Sequence, residues 1–217
     1  MGNIKKVEEK VLHFYRRIVF GSAYHKDNYT RNDIYGWCFD NAWNDMARHV
    51  YTKIDGCELK EDIKKYMIGN ELHNIQDKEK PKSTTEIIIG IQKELKDKIG
   101  KYNRKIGENK SGFTIGKMQK IINMFFKYLY LFKEDLELDK DYFKECDCPV
   151  DNKILNNSDF KDVGKKDPNV LKEKLSKIKW SKLTDIELYK QIQEVLRQLV
   201  TEQKLESLLD FDFENWE

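Results

Sequence analysis

The stretch Gly116-Lys117-Met118-Gln119-Lys120-Ile121-Ile122-Asn123-Met124-Phe125-Phe126-Lys127-Tyr128 decides the fold. With Lys117 at zero and 100 degrees per residue, Met118, Ile121, Ile122, Phe125, Phe126, Leu129 and Phe132 fall between about 40 and 180 degrees, while Lys117, Lys120, Asn123 and Lys127 share the other side. The spacing predicts a helix from Gly112 or Gly116 to about Glu134, dry along one stripe and carrying a column of lysines along the wet one.

The same periodicity recurs on both sides of it. Val7, Val11, Phe14, Tyr15, Ile18 and Val19 predict a helix over 4–20. Thr30-Arg31-Asn32-Asp33 is a capping-box pattern opening a second helix to about Thr52. A shorter one is expected from Lys60 to about His73, and the charged, Pro-containing run 74–82 reads as a loop. Ser83-Thr84-Thr85-Glu86 starts another, to about Gly100, and 101–111 reads as an exposed basic connection. Asp167-Pro168 predicts a helix to about Lys179, with proline at its first position. Thr184-Asp185-Ile186-Glu187 opens the last long one, with Leu188, Ile192, Val195, Leu196, Leu199 and Leu205 on its dry face. No segment alternates like a strand. The chain is expected to be all-α, about eight helices in a single 217-residue domain, with 1–80 and 83–217 as two packed lobes.

Hydrophobic residues make up 39% of the chain and charged ones 36%, which suits a surface-rich helical protein. No apolar run approaches the roughly 20 residues that span a bilayer, and Met1-Gly2-Asn3-Ile4-Lys5-Lys6 lacks a signal-peptide core, so a cytoplasmic protein with no membrane partner is expected. The formal charge is only +2, from 40 basic and 38 acidic residues, but it is unevenly spread. Residues 93–133 hold eleven Lys and Arg against three Asp and Glu, whereas 210–217 are acidic and aromatic. A basic middle fits a polyanion partner on one face, and equally a solvated helical surface.

Cys146-x-Cys148 lacks the two-residue gap of a zinc knuckle and has no nearby histidine, so reduced, buried thiols are expected rather than a metal site. His13, His25, His49 and His73 show no metal spacing either. Asp33, Asp40 and Asn44 share a face of the second helix, as a polar site or as a solvated face with local caps. No cofactor is called for.

One arrangement resembles chemistry. Lys120 lies near a helix start, one turn from Lys117; both the positive dipole end and the second ammonium disfavour its own charge. Cys148-Pro149-Val150-Asp151 offers a proline-fixed turn with a carboxylate that could accept a proton from that amine. A lysine column on a wet helix face is the plainer reading of the same residues.

The segment 119–128 together with Cys148-Pro149-Val150-Asp151 resembles the helix-hairpin-helix DNA glycosylases, particularly the 8-oxoguanine glycosylase type of archaea. The resemblance spans roughly residues 112–155. It implies two helical lobes around a cleft, Lys120 as nucleophile and Asp151 as its partner, with Lys127 matching a second lysine of the archaeal pattern. Gly116 stands at the place of the hairpin glycine, although the paired-glycine hairpin and the four-cysteine cluster of some relatives are missing. Double-stranded DNA would be the partner, with Gly116, Lys117, Lys127, Arg104 and Lys105 at the backbone and Trp180 as the residue to stack on a flipped base. The role would be excision of a damaged or modified base, in DNA repair or defence against phage. A noncatalytic all-helical protein that binds DNA or another protein through its basic middle or acidic tail is the alternative.

Overall fold

The computed structural model describes residues 16, 20–21, 29–47, 56–71, 82–106, 112–157, 160 and 179–215. The expected helices over 4–20 and 168–179, the four histidines and Trp216 lie wholly or largely outside them. The protein is all-α. In chain order the described α-helices are α1 (Arg31–Ala47), α2 (Gly56–Tyr66), α3 (Thr84–Glu94), α4 (Lys96–Ile106), α5 (Ile115–Tyr130), α6 (Asn152–Asn156), α7 (Ile186–Glu202) and α8 (Leu208–Glu214). A π-helical turn, Met67–Glu71, extends α2, and short 3-10 segments occur at Lys140–Glu145 and Trp180–Lys182.

Local chemistry explains most boundaries. Thr30 and Asp33 exchange reciprocal bonds at the start of α1, and Ser83 and Glu86 do the same at α3. Such a box satisfies backbone donors that a helix start leaves open. The helix expected to run to Gly100 instead breaks at Leu95, whose φ of −105° and ψ of 17° leave the helical range. A new helix then carries Lys101 to Ile106, residues expected in an exposed connection.

The central helix is where expectation and structure differ most. Every residue of α5 from Ile115 to Leu129 is buried, its lysines included. α1, α3, the Trp180–Lys182 turn and α7 all pack against it, so that both the apolar arc and the side expected to be wet are covered. Burying each large apolar side chain contributes about 1.5–3 kcal/mol, so a helix so enclosed forms the axis of the core. Phe125, Phe126, Phe132, Tyr35, Phe39, Ile192 and Phe211 are among the most enclosed members of one continuous cluster that also contains the described part of 1–80.

The Trp180 turn sits against the first turn of α5 by backbone contact. The Gly116 amide donates to Leu183 O at 2.9 Å, and a Cβ on Gly116 would lie 1.7 Å from the Trp180 carbonyl oxygen. Only glycine permits that approach. Most of the acidic, aromatic tail lies in α8, Leu208–Glu214, with Phe211 in the core. None of the described helices is long and apolar enough to cross a membrane.

Candidate functional site

Asp151 ends an extended segment, Cys146 to Val150, and caps α6: its Oδ1 accepts from the amides of Lys153 at 2.9 Å and Ile154 at 3.2 Å. Its other oxygen, Oδ2, accepts from Lys120 Nζ at 2.7 Å. The two groups that the sequence suggests as a pair are therefore in direct contact. Lys120 is nearly enclosed, with 9% of its side chain exposed, whereas Asp151 keeps 27%. Burial raises the Asp151 carboxyl, but the Lys120 ammonium and the two amides outweigh it and hold the group below its usual range. The resting site is thus an ion pair whose carboxylate is the more open partner.

The segment that presents Asp151 is held by side-chain amides. Gln119, adjacent to Lys120 on α5, donates to Val150 O at 2.7 Å and accepts from Val150 N at 3.0 Å. Gln193 on α7 does the same for Cys148, donating to its carbonyl at 2.7 Å and accepting from its amide at 3.1 Å. Asn123 lies between them, donating to Gln119 Oε1, Cys148 O and Tyr189 Oη within 3.1 Å, and accepting from Thr84 Oγ1 at 2.6 Å. Tyr189 in turn donates to Asp147, which also pairs with Arg197 at 2.5 Å. A buried backbone without regular structure must satisfy its polar groups in some such way.

Helical periodicity places Asn123 on the wet side, and it singles out none of Gln193, Tyr189, Asp147 and Thr84. A signal exists for the two glutamines. Gln119 falls at about 200 degrees on the α5 wheel, beside the apolar arc, and Gln193 interrupts the dry face of α7 between Ile192 and Val195. Buried amides in such positions need partners of their own.

A second ion pair lies nearby in the same field. Lys127 Nζ meets Asp212 of α8 at 2.6 Å and lies 4.9 Å from the centre of the Phe213 ring. Burial pushes the Lys127 ammonium down and the Asp212 carboxyl up, with each partner's charge resisting the shift. Lys120 and Asp151 act electrostatically on Asp212 too, so the two pairs form one charge cluster. The Lys117 ammonium donates to Gly112 O at 2.5 Å, and burial lowers it to about 8.

These positions correct the expected backbone and base contacts. Lys117 and Lys127 are each 1% exposed, Lys127 against Asp212 of α8. Gly116 is packed under a neighbouring backbone rather than set in an open hairpin. Trp180, at 3% exposure, is a core residue and is not placed to stack on a base. Arg104 and Lys105 are exposed on α4. A groove of about 570 Å³ runs beside them between α2 and α4, lined by Glu58, Glu61, Asp62, Lys98, Lys101 and Lys105 over Leu59 and Tyr102; neither Lys120 nor Asp151 reaches it.

The polar face of α1 has a structural use. Asp33 caps its helix, and Asp40 bridges Lys60 at 2.6 Å and Lys64 at 2.8 Å on α2. Cys38, Cys146 and Cys148 are buried free thiols, all pushed up by burial. Searches of protein-family models, of curated proteins and of solved structures found no significant match to this chain.

Proposed function

We propose that the protein is a lysine-dependent DNA glycosylase with lyase activity, removing a damaged or modified base through Lys120 and Asp151. The observation that supports this reading is the contact at 2.7 Å between an amine and a carboxylate that the resemblance singled out independently. Arg104 and Lys105 are exposed cations that would face the DNA backbone.

The chemistry asks Lys120 to lose a proton before it attacks. Asp151 is in hydrogen-bond reach to take it. Its low affinity for protons rests on the ammonium beside it; once that charge is neutralised, burial is no longer opposed by it and the carboxyl becomes a better base. The Lys120 lone pair would then form a bond to the sugar C1′ as the C1′–N bond to the base breaks, its electron pair leaving with the base. Asp151 would return that proton to the departing base and, a carboxylate again, would balance the positive charge left on the adduct; breaking the C1′–O4′ bond, with one ammonium proton passing to O4′, would give the protonated imine.

The test is reduction with borohydride in the presence of duplexes carrying a panel of damaged or modified bases. A covalent protein–DNA adduct that disappears in Lys120→Ala and forms slowly in Asp151→Asn is the expected result. No adduct on any duplex would sink the reading. The exposed cations of α4 favour one other function, noncatalytic DNA binding; salt-sensitive binding untouched by Lys120→Ala, with no adduct, would select it.

A further inference from the structure

We infer that Gln119 is a positioning residue: through Val150 it fixes the Asp151 carboxylate against Lys120, and it thereby sets the reactivity of the pair. As far as it concerns reactivity, this rests on the glycosylase reading; as far as it concerns the pair's geometry, it does not.

Gln119 and Lys120 are neighbours on α5, and Val150 and Asp151 are neighbours on the extended segment. The chain is thus joined twice at one level, once by the amide of Gln119 on both polar groups of Val150 and once by the Lys120–Asp151 ion pair. Two hydrogen bonds to one residue fix its rotation as well as its distance, so the direction in which Asp151 leaves the segment is set before its side chain meets anything. The Gln119 amide is itself oriented: its Oε1 accepts from Asn123, and its Nε2 also donates to Gly116 O at 2.9 Å. Gln193 holds Cys148 in the same manner, but three residues before Asp151 and across Pro149. It secures the segment without addressing the carboxylate.

The charged groups coupled to Asp151 are the ammonium it touches and, more remotely, the Asp212 carboxylate of α8. Loss of the Val150 clamp loosens the Lys120 contact while burial persists. The carboxyl of Asp151 should therefore titrate higher, because the opposite charge that holds it down is less firmly in contact.

The experiment is a titration of the Asp151 carboxyl carbon by NMR in the full chain, comparing wild type, Gln119→Leu and Gln193→Leu. The expected result is an upward shift in Gln119→Leu and an unmoved Asp151 in Gln193→Leu, even where both lose similar stability. A merely structural glutamine would leave Asp151 alike in both, and that result overturns the inference. Gln119→Glu covers the case in which leucine prevents folding. The protonated acid introduced by that change keeps both bonds to Val150, so Asp151 should respond only above the pH at which the new carboxyl ionises and stops donating; no such response overturns the inference as well. With borohydride trapping, Gln119→Leu should slow adduct formation at saturating DNA without weakening DNA binding. A shift of Asp151 without any adduct in the wild type would leave the positioning role standing and remove the glycosylase reading.

Discussion

Asp151→Asn separates two jobs that one side chain performs. Asparagine caps a helix about as well as aspartate, so the bonds from the Lys153 and Ile154 amides to Oδ1 should survive. What is lost is the attraction between Oδ2 and Lys120 at 2.7 Å. At an effective dielectric of about 20 that attraction is roughly 6 kcal/mol, against a desolvation penalty of several kcal/mol per ion. The variant gives up the attraction while Lys120 stays buried with its charge, so its desolvation is not recovered. Breaking a buried pair this way costs about 3–5 kcal/mol. Since 27% of Asp151 is open to screening water, the lower end, about 3 kcal/mol, is expected. Lys120→Met removes the buried charge along with its partner's attraction and should cost less.

Urea unfolding at neutral pH with an unchanged m-value measures both. The pH dependence adds a second check. Asp151 is held below its unfolded value of about 3.9, so between the two values the unfolded chain binds more protons and stability rises with pH. The contribution is complete above about pH 4 to 5 and is lost as pH falls through the folded value. Wild type and Asp151→Asn should therefore converge in acid. A deficit below about 1 kcal/mol, one that persists unchanged at low pH, or a larger loss in Lys120→Met would refute the account of the pair.

Three further outcomes follow from the packing of α5. Gly116→Ala gains about 1 kcal/mol of helix propensity but places a methyl 1.7 Å from the Trp180 carbonyl, so the backbone must move; a net loss of about 2 kcal/mol is expected by chemical denaturation, and a stabilised variant would show that the contact is not restrictive. Asp212→Asn strands the Lys127 charge in the core and should lower stability by about 3 kcal/mol, most of it recovered when Lys127→Met is added. Because Lys117 releases its proton at about 8 when folded and near 10.4 when unfolded, wild-type stability should rise relative to Lys117→Met between pH 8 and 10, by up to about 1.4 kcal/mol per unit; a flat difference in pH-dependent melting would contradict the burial of that ammonium.

The elements that could be read from sequence are those set by neighbours in the chain. Thr30 with Asp33 and Ser83 with Glu86 act within one helical turn, and the boundaries they set agree with the structure. The turn before Asp151 was legible for the same reason, since Pro149 lies two residues ahead of it; the short helix that Asp151 caps was not. The buried lysines were not. A helical wheel orders residues around one axis but says nothing of what arrives from elsewhere; the groups that meet Gly116 and Lys127 come from the Trp180 turn and from Asp212, about 65 and 85 residues on. The composition of the tail concealed its role similarly, because Asp212 looks solvent-seeking until its partner is found inside the core. The glutamine clamp left only the trace of two amides at or within dry faces, and such a position does not name the backbone groups the amide will meet.

That clamp gives an unclassified stretch of backbone the order of a sheet. Alternate residues, Cys148 and Val150, each have amide and carbonyl engaged, and the rungs are supplied by side chains of two helices instead of a neighbouring strand. Their amide hydrogens should consequently exchange with solvent as slowly as those in the middle of α5, although no ladder or helix contains them. A loop of this kind is a fixed part of the core lattice, and sliding it past its helices would require both glutamines to let go at once.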